Sequence, residues 1–217
     1  MHFAIDDVGS ETSATLVEPR GARALVVLAH GAGTTRRHES IVLLQDAFAR
    51  EKIASLAFNF AYTEAGKRPP DPMPRLERAY RGALTFARGR KRKARLLLAG
   101  GRSMGGRVAT HLAAQGEPLD GLVLLGYPLH PAGEPRKLRA EHLARVRCRT
   151  LFISGTRDRL ATPRLLEAAV KRMPRARLHW LEGADHGLDG RGRSRDDVAR
   201  EVARLVREEL VRERSAR

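Results

Sequence analysis

The sequence is short of cysteine and of long apolar runs, and each shortage removes a class of protein. Cys148 is the only cysteine in 217 residues, so no internal disulfide can staple the chain. It stands just ahead of the apolar segment Thr150 to Ile153, away from any base or metal-ligand pattern, and reads as a small packed hydrophobe. The longest apolar runs, such as Ala24 to Ala29, fall far short of the roughly 20 residues of a membrane-spanning helix. The opening MHFAIDDVGSETSATL lacks the charged-then-apolar pattern and small-residue cleavage site of a secretion signal. These absences predict a soluble, cytoplasmic protein with no membrane partner. Acidic residues are also outnumbered: 25 Asp+Glu against 41 Lys+Arg leave a formal charge of +16. Such a surplus draws nucleic acid where it is concentrated. Here it is spread from Arg20 to Arg217; only the run RGRKRKAR at 88–95 is dense, and no aromatic interleaves it for base stacking. Nucleic acid is therefore not expected as a partner, and the oligomeric state is not legible.

What is present is enough apolar material, 42% of residues, to bury one substantial core. No repeat, low-complexity tract or linker divides the chain, so residues 1–217 read as a single domain. Short apolar runs alternate with segments of helical period, the pattern of an α/β fold with a mostly parallel sheet and helices on both faces. Strands are expected at Ala24 to Ala29, Ile53 to Phe58, Arg95 to Ala99, Gly121 to Leu125, Thr150 to Ser154 and Arg177 to Leu181. Helices are expected at Ser40 to Glu51, Pro74 to Arg88, Met104 to Gln115, Pro163 to Met173 and Arg195 to Val211, with Pro74 and Pro163 where a first helical turn tolerates them. Residues Phe3 to Val17 allow an antiparallel edge pair. Two connections, Asn59 to Asp71 and Gly126 to His142, follow strands at their carboxyl ends and are expected to wall a pocket there. Neither is long enough for a large cap.

The strongest chemical signal is GRSMG at 101–105, directly after one expected strand and opening the next helix. A strand-to-helix turn this tight pushes its central residue, Ser103, out at the top of the sheet, and the flanking glycines relieve the crowding. A helix start with an N-cap serine is the bland alternative. A serine hydroxyl needs a base; His186, in GADHG at 183–187, follows the last expected strand. The imidazole needs a carboxylate to fix its tautomer; Asp158, in SGTRD at 154–158, follows the strand before. Ser103, Asp158 and His186 thus form the candidate catalytic set, in the chain order this architecture uses. Asp185, Asp189 and Glu134 are the competing acids and rank below Asp158. For an oxyanion hole, the turn HGAG at 30–33 offers the backbone N–H of Ala32, or secondly of Gly33, beside that of Met104. His30 reads as ordering this turn. With Gly33, Arg102 and Tyr127, His30 makes up the expected substrate-binding set. Arg36, Arg68 and Arg102 favour an anionic substrate if they face the site, and solvated arginines otherwise. The remaining histidines, 2, 38, 111, 130, 142 and 179, show no metal-ligand spacing, and Gly31 with Gly33 makes no dinucleotide fingerprint, so neither metal nor cofactor is expected.

Taken together, HGAG at 30–33, FNF at 58–60, GGRSMGGR at 100–107, LLGYPLHP at 124–131, SGTRD at 154–158 and GADHGL at 183–188 resemble the α/β-hydrolase superfamily from about Ala24 onward. More narrowly they look like bacterial α/β-hydrolases related to dienelactone hydrolases, a group similar to a eukaryotic chromatin-complex subunit and a testis-expressed protein. Dienelactone hydrolases carry cysteine where Ser103 stands, so lactonase activity is not carried over. The resemblance implies a serine hydrolase of carboxylesterase or thioesterase type acting on a small ester or thioester. The alternatives are a noncatalytic binding or scaffold protein on the same fold, and an acyltransferase using the same three residues.

Overall fold

A computed structural model describes residues 1–4, 11–90 and 96–212. Eight strands form one sheet in the order β1-β2-β4-β3-β5-β6-β7-β8. They are β1 (His2–Ala4), β2 (Glu11–Val17), β3 (Ala24–Ala29), β4 (Ala54–Phe58), β5 (Leu96–Arg102), β6 (Gly121–Leu125), β7 (Arg149–Gly155) and β8 (Ala176–Leu181). Strands β3 to β8 run parallel, while β1 and β2 add an antiparallel edge beside β4.

The central strand shows why the sheet is sandwiched. All six residues of β3, ALVVLA, are buried, which requires cover on both faces. Successive side chains alternate between two cores: Leu25, Val27 and Ala29 enter one, Ala24, Val26 and Leu28 the other. The first core is closed by α3 (Met73–Arg90), α4 (Met104–Ala114) and α5 (Pro163–Lys171), through Tyr80, Leu84, Val108, Leu112 and Leu166. The second is closed by α1 (Glu39–Arg50) and α6 (Arg195–Val206), through Ile41, Leu44, Phe48, Val202 and Val206. Each such side chain, fully buried, contributes about 1.5–3 kcal/mol. Among the described residues no cap domain is inserted, and no helix is long and apolar enough to cross a membrane.

The chain leaves β3 for β4 on one side and returns to β5 on the other, so the order reverses between β3 and β5. At such a switch point the loops leaving the two strands diverge and open a crevice. The turn after β3 and Ser103 after β5 both lie there.

Several boundaries differ from expectation. Strand β5 continues through Gly100 and Gly101 to Arg102 because the ladders to β3 and β6 continue. The connection from 59 contains one helical turn, α2 (Ala61–Glu64), and the amphipathic piece at 138–146 holds only a 3₁₀ turn at Glu141–Arg145. Helix α6 gives way to a wider π-type turn at Arg207–Val211. Of the basic run at 88–95, Arg88 to Arg90 end α3, and 91–95 lie outside the described residues.

Candidate active site

Ser103 occupies the bend between β5 and α4 with φ 48° and ψ −114°. For a residue with a side chain this conformation costs on the order of 1–3 kcal/mol and persists only where its surroundings impose it. They do so from three sides. The Ser103 N–H donates to the Leu125 carbonyl at 2.8 Å, and the Arg107 N–H donates to the Ser103 carbonyl at 3.1 Å. Helix α4 presses so closely on β3 that a Cβ on Gly105 would lie 2.4 Å from the Ala29 carbonyl oxygen. Beneath the bend, the buried Tyr80 hydroxyl lies 2.7 Å from the Val27 carbonyl and 2.6 Å from that of Gly100, and accepts the Gly100 N–H at 2.8 Å. Sequence reasoning passed over Tyr80. Its signal was a phenol on the apolar stripe of α3, which must find a polar partner once buried.

The other two candidates converge on this serine. His186 Nε2 is 2.9 Å from Ser103 Oγ. On the far side of the ring, Nδ1 lies 2.9 and 3.1 Å from the two carboxyl oxygens of Asp158. Asp158 is only 3% exposed, and it also accepts the Leu160 N–H at 2.7 Å. An N–H at Nδ1 facing Asp158 leaves Nε2 as acceptor for the serine hydroxyl. The loops carrying the acid and the base touch: a Cβ on Gly155 would fall 2.1 Å from the Ala184 carbonyl oxygen, so only glycine permits the approach. The competing acids are engaged elsewhere. Asp185 caps the N–H groups of Gly187 and Asp189, Asp189 pairs with Arg195, and Glu134 pairs with Lys137.

The turn at 30–33 lies against the serine, where a Cβ on Gly31 would be 3.6 Å from that of Ser103. His30, 1% exposed, holds the turn. Its Nδ1–H donates to the Gly31 carbonyl at 2.8 Å and its Nε2 accepts the Phe60 N–H at 3.2 Å. Burial lowers its pKa, outweighing the hydrogen bond to Gly31; the neutral ring is the form these two bonds require. Among the described residues the Ala32 N–H has no acceptor, and the Met104 N–H opens α4, where no carbonyl lies one turn back.

Part of the expected substrate-binding set lies elsewhere. Tyr127 has no exposed surface; its hydroxyl donates to the Arg139 carbonyl at 3.2 Å and its ring packs edge-on to Phe152. It is a core residue, because the connection after β6 folds inward. Arg102 donates to Ser40 at 3.0 Å, toward α1. Arg36 is likewise spent on Ser13 and Thr15 of β2, at 2.9 and 2.7 Å. Gly33 is exposed with φ 72° and supplies the turn's left-handed position.

A cleft of about 700 Å³ that has His186 in its wall lies between residues 157–159 and 183–191. Neither connection expected to wall the pocket lines this cleft. The one after β6 braces the acid: the His130 N–H donates at 3.0 Å to the carbonyl of Leu160, whose own N–H donates to Asp158.

Comparison with known proteins agrees with this architecture. A dienelactone hydrolase from Anabaena variabilis superposes with a TM-score of 0.78 at 21% identity, over 97% of this chain and 96% of that one. Est1E from Butyrivibrio proteoclasticus, with ferulic acid bound, gives 0.79 at 16% identity over 98% and 100%. A serine hydrolase without a lid from Xanthomonas campestris gives 0.75 at 16% identity over 99% and 95%. At these identities the likeness is one of fold. The alpha/beta hydrolase domain family itself matches residues 22–211, the span from just before β3 to the turn after α6, and the chain belongs to that family.

Proposed function

We propose that the protein is a serine hydrolase that cleaves a small ester or thioester through an acyl-enzyme on Ser103. The observation that carries this reading is the unbroken hydrogen-bonded line from Asp158 through His186 to Ser103 Oγ, at 2.9 Å on either side of the ring. In the first half-reaction Ser103 Oγ attacks the carbonyl carbon while His186 Nε2 takes its proton. The negative charge on the carbonyl oxygen is met by the N–H groups of Ala32 and Met104. His186 then protonates the leaving atom, and Asp158 stabilises the transient imidazolium. Water, deprotonated by His186, releases the acid and restores the serine.

A fluorophosphonate probe tests this without knowledge of the substrate, since labelling needs only an activated serine. The expected outcome is stoichiometric labelling at neutral pH, none in Ser103→Ala, and slowing on the order of a thousandfold in His186→Ala. Folded wild-type protein that resists the probe would overturn the assignment in favour of a noncatalytic protein.

A further inference from the structure

Resting on that reading, we propose that the substrate's leaving group is anionic, with a carboxylate or phosphate held by Arg157, Arg159 and Arg191 in the cleft beside His186. The direction follows from the chemistry. As the Ser103 Oγ–carbonyl bond forms and the bond to the leaving atom breaks, the proton taken from Oγ passes from His186 Nε2 to that atom. The leaving atom must therefore lie within hydrogen-bond reach of Nε2, so the leaving group begins beside the imidazole that also borders the cleft. The cleft of about 700 Å³ has His186 in its wall.

Three arginines, Arg157, Arg159 and Arg191, line this cleft. Arg157 and Arg159 flank Asp158: the acid turns inward to 3% exposure while both neighbours are exposed. The Arg157 N–H donates to the Ala184 carbonyl at 2.9 Å, which ties this turn to the loop bearing His186 and Arg191. Among the described residues none of the three has a carboxylate partner. Their neighbours do: Arg193 pairs with Glu201, and Arg195 with Asp189 and Glu39. Two acids also line the cleft, and both are committed. Asp185 Oδ1 accepts the N–H groups of Gly187 and Asp189 at 2.7 and 3.2 Å, and Asp189 holds Arg195 at 2.9 Å. The lining thus holds three arginines without a carboxylate partner among the described residues, against Asp189, which is paired with Arg195, and Asp185, which is hydrogen-bonded to backbone N–H groups; a guanidinium is a planar donor whose geometry matches carboxylate and phosphate oxygens. The formal charge of +16 adds long-range attraction for such a substrate.

The test uses pairs of acetyl donors that share an acyl group and differ in leaving-group charge. One pair is 4-acetoxybenzoate against 4-acetoxybenzamide; the other is acetyl-coenzyme A against S-acetyl-N-acetylcysteamine. The readout is the ratio of kcat/KM, charged over neutral, within each pair. In the wild type this ratio should exceed about ten in at least one pair, and the responsive pair identifies carboxylate or phosphate. It should fall about tenfold in the combined variant Arg157→Gln, Arg159→Gln, Arg191→Gln, and also when salt rises from about 0.05 to about 0.5 M. If the combined variant does not fold, Arg159→Gln and Arg191→Gln singly, with the salt series on wild type, decide. A wild-type ratio near one in both pairs, or a ratio unmoved by substitution and salt, overturns the inference while probe labelling of Ser103 leaves the hydrolase reading standing. Absence of labelling removes both.

Discussion

At Asp158 a single atom decides the outcome. Replacing one carboxyl oxygen by an amide N–H leaves size and shape unchanged but presents a donor to His186 Nδ1, 2.9 Å away. The imidazole then adopts the other tautomer, with its proton on Nε2, where it can no longer accept from Ser103. Asp158→Asn should therefore lower kcat by a factor on the order of 10³–10⁴ with little change in KM, measured on any ester found to be turned over. Near-wild-type kcat would mean that another acid serves His186. Gly155→Ala makes a backbone collision instead, since the added Cβ would meet the Ala184 carbonyl oxygen at 2.1 Å. Forcing apart the loops of acid and base should cost roughly 1–3 kcal/mol of stability and slow probe labelling together, read by denaturant unfolding and labelling rate. An alanine variant with wild-type values in both would show that the loops separate freely. The three residues of the hydrogen-bonded line were legible because each sits in a short motif after an apolar run. The cleft arginines were not. Whether an arginine is free or paired depends on partners far away in sequence, as when Arg195 meets Glu39 from the opposite end of the chain.

Elements were legible to the extent that their periodicity was strong. Strands β3 and β6 have the bounds that their apolar runs imply, because each is buried along its whole length. The glycine end of β5 was misread as turn, since Gly100 and Gly101 carry no strand propensity and are held only by ladders to neighbours. In the connection after β6, prolines and polar residues conceal that Tyr127, Leu129 and His142 fold into the interior. Between these elements, Tyr80 couples α3 to the β3 and β5 backbones at the base of the serine bend. Tyr80→Phe keeps the packing but leaves the Gly100 N–H, now 2.8 Å from the hydroxyl, without that acceptor. The expected loss is about 1–3 kcal/mol in chemical unfolding. Because the Ser103 strain relies on this support, labelling should slow as well; unchanged stability would show that another acceptor replaces the phenol.

The whole molecule should be acid-sensitive well above the range in which its carboxylates titrate. His142, 7% exposed, lies 2.8 Å from the Thr110 hydroxyl and 3.4 Å from that of Tyr127, with its ring centroid 3.9 Å from that of His111. Burial first, then the nearby His111, Arg107 and Arg145, push its pKa down to about 3. His111 is lowered as well, by burial and Arg107, against an opposing pull from Glu77, and His30 is lowered by burial. Each depressed value means that the folded state resists a proton which the unfolded chain accepts near pH 6.5. This contribution is complete above pH 6.5 and is lost as pH falls, by up to about 1.4 kcal/mol per pH unit for each histidine held neutral. Lowered carboxylates such as Glu64 and Asp189 add losses in the same direction only once the pH approaches ordinary carboxylate values. The interval from pH 6.5 to 5 therefore isolates the histidines. Unfolding free energy measured across it should fall steeply in the wild type and less steeply in His142→Gln, which keeps a hydrogen-bonding group near Thr110 but takes up no proton in the unfolded chain. Parallel slopes in the two proteins would show that His142 accepts its proton without resistance when folded.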